Sequence, residues 1–169
     1  MAELTTAERL QPSLLDRLTD DFPQVSQESR DRRVMSMRQL RAAVLRDLGW
    51  LLNTPAKPRF EGVHDYPLVA NSVINYGIPD LTGLTTSGLS PGQLEKMVVS
   101  AVHRFEPRIV ANTLDVRAVA TKDQWGNESD QRFEFEISGD FCPLPMPEAL
   151  FVRTEVDLET GRCSIRERA

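Results

Sequence analysis

The chain has 169 residues, of which 40% are hydrophobic and 27% are charged, a composition typical of a soluble protein with a packed core. Its net charge of −5 argues against non-specific binding to nucleic acid or anionic lipid, because both need basic surfaces. No apolar run approaches the roughly 20 residues that span a bilayer, so direct membrane insertion is not expected.

The cysteines do not predict a site. Cys142 and Cys163 are far apart in sequence and each stands in a strand-like context, so we interpret them as small buried side chains in a reducing cytoplasm rather than as a disulfide. With His64 and His103 they give neither CxxC nor HxxxH spacing, and we expect neither a metal nor another cofactor. The N-terminus lacks the basic and hydrophobic regions of a secretory signal.

Residues 1–28 are predicted to be a tail that carries one short helix. Residues 12–21 place Leu14, Leu15 and Leu18 on one side. So small an apolar face cannot stabilise a helix by itself, so it must dock on something. Docking on its own domain and docking on a partner both remain open.

The longest helical pattern covers residues 29–52. Apolar residues recur there every three or four positions, and arginines occupy the remaining surface. Such a face is most often simply solvated. The alternative is an acidic partner surface, for which Arg38 and Arg41 are the candidate contacts.

A shorter helix is predicted at 67–76. Asp65 is suited to cap it, and Gly77 fits the left-handed position that ends many helices. The following turn formers predict an ordered loop between apolar anchors.

The strongest helix signal begins at Ser90. Ser90 and Gln93 can form a reciprocal capping box, and Pro91 falls at the first helical position, where its missing N–H costs nothing. Six apolar residues repeat at helical spacing: Leu94, Met97, Val98, Ala101, Val102 and Phe105. A buried helix is therefore predicted, and it holds whatever follows it at a fixed place.

An acid and a base flank the helix breaker that follows. Pro107 cannot continue the helix and biases Glu106 toward an extended conformation. If the backbone is extended through Arg108, Glu106 and Arg108 project to the same side. The closely spaced pair is either a structural element or an active site.

A lysozyme-like muramidase is the enzymatic alternative. Glycoside hydrolysis usually takes two carboxylates, one of which donates a proton. Glu106 is the natural acid, but Arg108 beside it favours the ionised carboxylate, which is the wrong form. Because the motif places no second carboxylate nearby, the sequence favours a structural role and predicts no catalytic residue.

After this helix the hydrophobic periodicity changes from 3.6 to 2, which indicates strands at 113–120, 132–141, 149–157 and 162–166. We predict an α+β domain over residues 29–169: N-terminal helices followed by a small antiparallel sheet of three to four strands.

Two features of this sheet are candidate contacts with other chains. The polar loop after the first strand carries Trp125, and an aromatic residue there can anchor an interface. The last strand contains Arg162, Cys163, Ser164 and Ile165, and an exposed strand edge pairs with other chains unless it is blocked.

Five segments together resemble the TssE family of small baseplate subunits of type VI secretion systems, which is related to a baseplate wedge protein of contractile-tailed phages. They are RLQPSLLDRLTDD at 9–21, QESRDRRVMSMRQLRAAVLRDLGWLLNT at 27–54, SVINYGIPDLTGL at 72–84, RFEPRI at 104–109 and FVRTEVDLETGRCSIRER at 151–168. Glu106, Pro107 and Arg108 carry the signature of that family.

The resemblance implies a structural protein at the cytoplasmic face of the inner membrane. The partners it implies are TssF, TssG and TssK in the baseplate wedge, the TssB/TssC sheath, and indirectly the VgrG hub. It also implies that the protein templates the first sheath ring by sharing a β-strand. A regulatory binding module, in which the arginine face of helix 29–52 grips an acidic partner, is the remaining alternative.

Overall fold

The computed structural model describes residues 13–19, 23–24, 35–56, 65–82, 89–119, 132–141 and 149–167. The helices are α1 (Leu14–Leu18), α2 (Met37–Leu52), α3 (Pro67–Ala70) and α4 (Pro91–Phe105), with a 3₁₀ turn at Val73–Asn75. The strands are β1 (Asp115–Val119), β2 (Arg132–Asp140), β3 (Ala149–Asp157) and β4 (Arg162–Glu167). Helices followed by an antiparallel sheet confirm the predicted α+β class. Trp125, Cys142 and His64 lie outside the described residues.

The sheet has the order β1-β2-β3-β4, and each strand is antiparallel to its neighbour. Along β2 and β3 buried side chains alternate with more exposed ones, as the period of 2 predicted. The buried face carries Val116, Phe133, Phe135, Ile137, Leu150, Val152, Thr154, Val156 and Cys163. The opposite face carries ion pairs between strands, such as Arg132 with Glu155 and Arg153 with Glu134.

Helices α2 and α4 pack against each other and against the sheet. Their buried residues are Leu40, Ala43, Val44, Leu48, Leu51 and Leu52 from α2, and Leu94, Val98, Ala101 and Val102 from α4. Since burial of one large aliphatic side chain contributes about 1.5–3 kcal/mol, this set fixes both helices firmly. The C-terminal end of α4 is thereby held at a defined place beside α2.

The first turn of α2 departs from the prediction. The predicted helix covered residues 29–52, but Met35 and Ser36 are not helical, and α2 begins at Met37. Ser36 is the N-cap: its hydroxyl accepts from the N–H of Gln39 at 3.3 Å, and its own N–H donates to the Gln39 side chain at 2.9 Å. These two bonds form a capping box. The sequence predicted the same motif at the start of α4, and Ser90 and Gln93 confirm it there.

The predicted helix at 67–76 is wrong in its continuity and in its cap. The chain leaves the helix after Ala70 and forms a separate 3₁₀ turn that Ser72 caps, and no side chain caps α3. Gly77 has a φ of +122°, and a Cβ there would lie 2.1 Å from the carbonyl oxygen of Thr54. Gly77 directly follows Tyr76, the C-cap of the 3₁₀ turn, and its positive φ also permits the close approach of this segment to the end of α2.

Candidate functional site

The Glu-Pro-Arg sequence forms a turn at the end of α4. Glu106 caps the helix with φ −123° and ψ 72°, and the N–H of Ile109 donates to the carbonyl oxygen of Glu106 at 3.2 Å. Pro107 occupies the position of the turn that proline favours. The backbone is therefore not extended through Arg108, which corrects the predicted reason for the meeting of the two charged side chains. A turn, not a strand, brings them together.

Glu106 and Arg108 form a bidentate ion pair. The Arg108 side chain donates to both carboxylate oxygens of Glu106, from Nε at 2.6 Å and from Nη2 at 2.5 Å, and its backbone N–H lies 3.3 Å from Oε1. The Glu106 side chain is 3% exposed and that of Arg108 is 24% exposed. A buried carboxylate needs such partners because an unpaired one would be strongly destabilised.

The same guanidinium reaches a second acid on another helix. Nη2 of Arg108 donates to Asp47 of α2 at 2.6 Å, and Nε of the adjacent Arg46 donates to the other oxygen of Asp47 at 2.8 Å. Arg46 then donates to Asp16 of α1 at 2.6 Å. These five side chains, Asp16, Arg46, Asp47, Glu106 and Arg108, alternate in sign and are called the charged network below.

Electrostatics within the charged network favour the ionised forms of Arg108 and Asp16. Burial alone would lower the pKa of Arg108, but hydrogen bonds and attraction from Glu106 and then Asp47 outweigh it and raise that pKa. Burial alone would raise the pKa of Asp16, but Arg46 and Ser13 outweigh it and lower that pKa.

Tyr76 packs against the network from the segment before α4. Its hydroxyl lies 3.4 Å from the carbonyl oxygen of Asp47, and its ring meets that of Phe105 edge-on with centroids 5.1 Å apart. Burial and the nearby carboxylates of Asp47 and Glu106 raise the pKa of Tyr76. The corner is thus enclosed by α2, α4 and the 3₁₀ segment.

This arrangement suits a structural joint better than acid–base chemistry. The structure does supply a second carboxylate, Asp47, which the sequence did not place beside Glu106. However, Arg108 donates to both carboxylates, and Glu106 is shielded from water. A general acid must reach a substrate, whereas the Glu106 carboxylate is buried and accepts from Arg108 at both of its oxygens.

Sequence reasoning missed Asp47 and also Asn53, whose side-chain amide bonds the backbone of Cys163 on β4. Asp47 stands on α2 among the core positions Val44, Leu48 and Leu51, so an acid interrupts an otherwise apolar stripe. That interruption is a usable signal, since a carboxylate on a buried helix face needs a cation. Asn53 carries no comparable signal, because an asparagine after a helix is ordinary.

Helix α1 is held by charge and not by its leucines. Ser13 caps it, and Asp16 pairs with Arg46. The side chains of Leu14, Leu15 and Leu18 are 71%, 45% and 75% exposed. The apolar side of α1 is therefore not docked on the described part of the chain, and the partner alternative stays a prediction.

The arginines proposed as partner contacts differ in their surroundings. Arg38 is exposed on α2. Arg41 is half-buried, donates to the carbonyl oxygen of Ala149 at 3.0 Å, and lies over the ring of Phe141. Arg41 thus ties α2 to the start of β3, and its contact with a partner remains a prediction.

The two outer strands of the sheet are not equivalent. On β1, the outward N–H of Ala118 donates to the carboxylate of Glu95 at 2.7 Å, and α4 packs beside this strand. On the other side β4 contains the predicted residues Arg162, Cys163, Ser164 and Ile165. Cys163 is buried, and burial raises the pKa of its free thiol to about 12, so the thiol stays protonated near neutral pH.

A comparison with protein families identifies the family of a chain that has this Glu-Pro-Arg turn. The family described as baseplate wedge protein gp25 matches residues 38–142, a span that holds most of α2, the Glu-Pro-Arg turn, β1 and β2. The chain belongs to the baseplate wedge protein gp25 family. No curated protein and no solved structure gives a significant match.

Membership of the wedge family makes this chain a structural, phage-tail-like baseplate component that interacts with other baseplate proteins. Asp47, Glu106 and Arg108 lie inside the matched span, whereas α1 and the hairpin β3–β4 lie outside it. Among the described helices, none is both long and apolar enough to cross a bilayer.

Proposed function

We propose that this wedge-family chain is the TssE-type subunit of a type VI secretion baseplate. In this role it joins TssF and TssG in wedges that also carry TssK, at the cytoplasmic face of the inner membrane, and reaches the VgrG hub indirectly. The observation that carries the proposal is the family match across the Glu-Pro-Arg corner. The resemblance of segments at both ends of the chain to TssE supports the secretion system over a phage tail.

In this proposal β4 is the strand offered to the TssB/TssC sheath. Among the described residues, no hydrogen bond is made to the outward backbone groups of Ile165 on β4, and such an edge is a ready template for another strand. The competing edge, β1, is shorter, flanked by α4, and partly occupied by Glu95. The charged network serves the proposal indirectly, because it holds α2, against which β4 packs.

Co-purification tests the baseplate role. Tagged chain co-expressed with TssF, TssG and TssK is expected to recover a complex of all of them, whereas a regulatory module would bind a single partner alone. The matched variant is Arg38→Glu, which reverses an exposed charge on α2 without touching the charged network. Loss of the complex in that variant would favour the arginine-face module; recovery of a single partner by the unaltered chain would overturn the wedge role.

A backbone edit tests the sheath role more cleanly than truncation. Deleting the chain from Cys163 would remove most of a strand that pairs with β3 and contributes to the core. Instead, a thioester of residues 1–162 can be joined in denaturant to a synthetic peptide of residues 163–169, with Cys163 as the ligation residue, and then refolded.

N-methylation of Ile165 in that peptide removes one outward N–H and leaves the ladder to β3 in place. We expect the edited protein to bind TssF and TssG normally and to fail in nucleating TssB/TssC sheaths. The unmodified ligated protein is the control. Normal sheath nucleation by the N-methylated protein would contradict strand sharing at β4.

The muramidase alternative gains no support from the site. Both Glu106 and Asp47 are bonded to Arg108, and Glu106 is buried. Peptidoglycan release by the purified chain, lost in Glu106→Gln, is the result that would reinstate it.

A further inference from the structure

The outward edge of β4 is not uniform along its length. In an antiparallel pair, successive residues alternate between bonding the neighbouring strand and pointing away from it. The backbone N–H and C=O groups of Arg162 and Ser164 face β3, opposite Asp157 and Glu155. Those of Cys163 and Ile165 point away from β3, toward the open edge of the sheet. Glu167 follows in the same alternation. A strand added to this edge would have to use the outward groups.

Cys163 already has the partners that an added strand would supply. Its N–H donates to Oδ1 of Asn53 at 3.0 Å, and its carbonyl oxygen accepts from Nδ2 of the same side chain at 2.9 Å. One side-chain amide thus takes the place of the peptide group of a fifth strand. Among the described residues, no comparable bond is made to the outward groups of Ile165.

Asn53 is itself held in place at the end of α2. Nδ2 also donates to the carbonyl oxygen of Gly49 at 2.7 Å, and the backbone N–H of Asn53 bonds the same carbonyl at 3.2 Å. Moving the Asn53 side chain away from Cys163 would therefore break its hydrogen bonds to both α2 and β4.

We infer that Asn53 closes the Cys163 position of the β4 edge to other chains and confines strand addition to the part of β4 that starts at Ile165. The inference rests on the proposed function of β4 as the shared strand. It makes Asn53 a register-setting residue, since an incoming strand cannot slide toward the β3–β4 turn without displacing it. A shift of two residues would otherwise keep every side chain on the same face and be poorly discriminated.

Amide hydrogen exchange of the free, full-length chain tests the closure without any partner. We expect the Cys163 amide to be protected in the unaltered chain and to exchange on the order of tenfold faster in Asn53→Ala. Protection of Phe135, in the middle of β2, reports whether each variant is folded. Should Asn53→Ala fail to fold, Asn53→Asp keeps an acceptor for the Cys163 N–H and loses the donor, so this amide should stay protected.

Thr54→Val is the matched control. Thr54 also bonds a carbonyl of the last turn of α2, that of Trp50 at 2.7 Å, through its side chain. Its hydroxyl makes no hydrogen bond to β4 among the described residues, so Cys163 should exchange as in the unaltered chain. Equal exchange of Cys163 in the unaltered chain and in a folded Asn53→Ala would overturn the inference.

Addition of TssB/TssC sheath protein then locates the incoming strand. In the unaltered chain we expect new protection at Ile165 and none at Cys163, whereas in Asn53→Ala the protected stretch should extend to Cys163. New bonding to a sheath strand at Cys163 in the unaltered chain would overturn the inference. If the exchange rate of the Cys163 amide depends on Asn53 but the sheath protein protects no amide of β4, the closure by Asn53 is supported and the proposed strand sharing is contradicted.

Discussion

Arg108 donates to Asp47 at 2.6 Å and so links the turn after α4 to the middle of α2, across 61 positions of sequence. The pair is partly buried, with the two side chains 24% and 21% exposed. Arg108 thereby couples the turn at the end of α4 to α2, whose C-cap is Asn53. The first prediction concerns this coupling.

A double-mutant cycle measures the Asp47–Arg108 interaction. In urea unfolding, Asp47→Ala and Arg108→Ala should each lower the free energy of unfolding, and the double variant should lose less than the sum by about 1–2 kcal/mol. The reason is that either single change already leaves the other charge with fewer partners. Additive losses would show that the pair contributes nothing specific.

Glu106→Ala should cost more stability than loss of an exposed pair. Removing the buried carboxylate leaves Arg108 short of its main partner, and we expect a loss of about 3 kcal/mol. Glu134→Ala, which breaks an exposed pair with Arg153, is the comparison and should cost clearly less than Glu106→Ala. We also expect fluorescent sheath foci to disappear in Glu106→Ala and persist in Glu134→Ala. Similar losses of stability in both variants would contradict the structural role of the corner.

Attachment of α1 should depend on pH. Because Arg46 and Ser13 hold the pKa of Asp16 below its ordinary value of 3.8, the contact is fully present above that value and is lost as pH falls through the lower, folded pKa. Amide NMR shifts of residues 13–19 between pH 7 and pH 2.5 should therefore show a transition in the acid range. Asp16→Asn should lack it; an identical transition in that variant would assign the change to another group.

The exposed leucines of α1 are expected to bind a baseplate partner. Leu14→Ser and Leu18→Ser should leave the free energy of unfolding within about 0.5 kcal/mol, because both side chains are mostly in water. The same variants should weaken co-purification with TssF and TssG. Leu68→Ser removes another exposed leucine, 89% accessible, on α3 and tests whether the effect is specific to α1. Undiminished recovery of TssF and TssG by the combined Leu14→Ser/Leu18→Ser variant would exclude α1 as a partner-binding helix.

Two glycines should respond to alanine in opposite directions. Gly77→Ala places a Cβ against Thr54 at a positive φ, so we expect a loss of about 2 kcal/mol or more in thermal or urea unfolding. Gly92 stands in the first turn of α4 with nothing within 4 Å of an added Cβ. Gly92→Ala should therefore be neutral or stabilising by up to about 1 kcal/mol. A tolerated Gly77→Ala would contradict the close approach to Thr54.

The parts of the fold that depend on local chemistry could be predicted from the sequence. The period of 2 identified all the described strands, and the Ser90–Gln93 box located the start of α4. The start of α2 was placed too early because the arginine-rich stretch before Met37 continues a helical pattern, although Ser36 and Gln39 carry the same box. The helix predicted at 67–76 is broken after Ala70, where Ser72 caps a separate 3₁₀ turn. The approach of Gly77 to Thr54 is a contact that no local pattern encodes.

The candidate site was predictable only in its local half. The order Glu-Pro-Arg is a local signal, since proline favours the turn that brings Glu106 and Arg108 together. Asp47 and Asn53 meet their partners 61 and 110 positions away, through the packing of α2. Such contacts follow from the whole fold, so a single sequence offers at most the indirect hint of an acid on an apolar helix face.

The order of the acid and the base in the Glu-Pro-Arg motif matters because Arg108 lies between two carboxylates, those of Glu106 and Asp47. If the order were reversed to Arg-Pro-Glu, the acid would take the place of Arg108 and face Asp47, while the base would enter the buried site of Glu106. Like charges would then meet at the junction of the two helices, even though the motif kept its composition and its internal ion pair. Only the order Glu-Pro-Arg therefore places a cation beside Asp47, so a residue on another helix determines the order of the tripeptide.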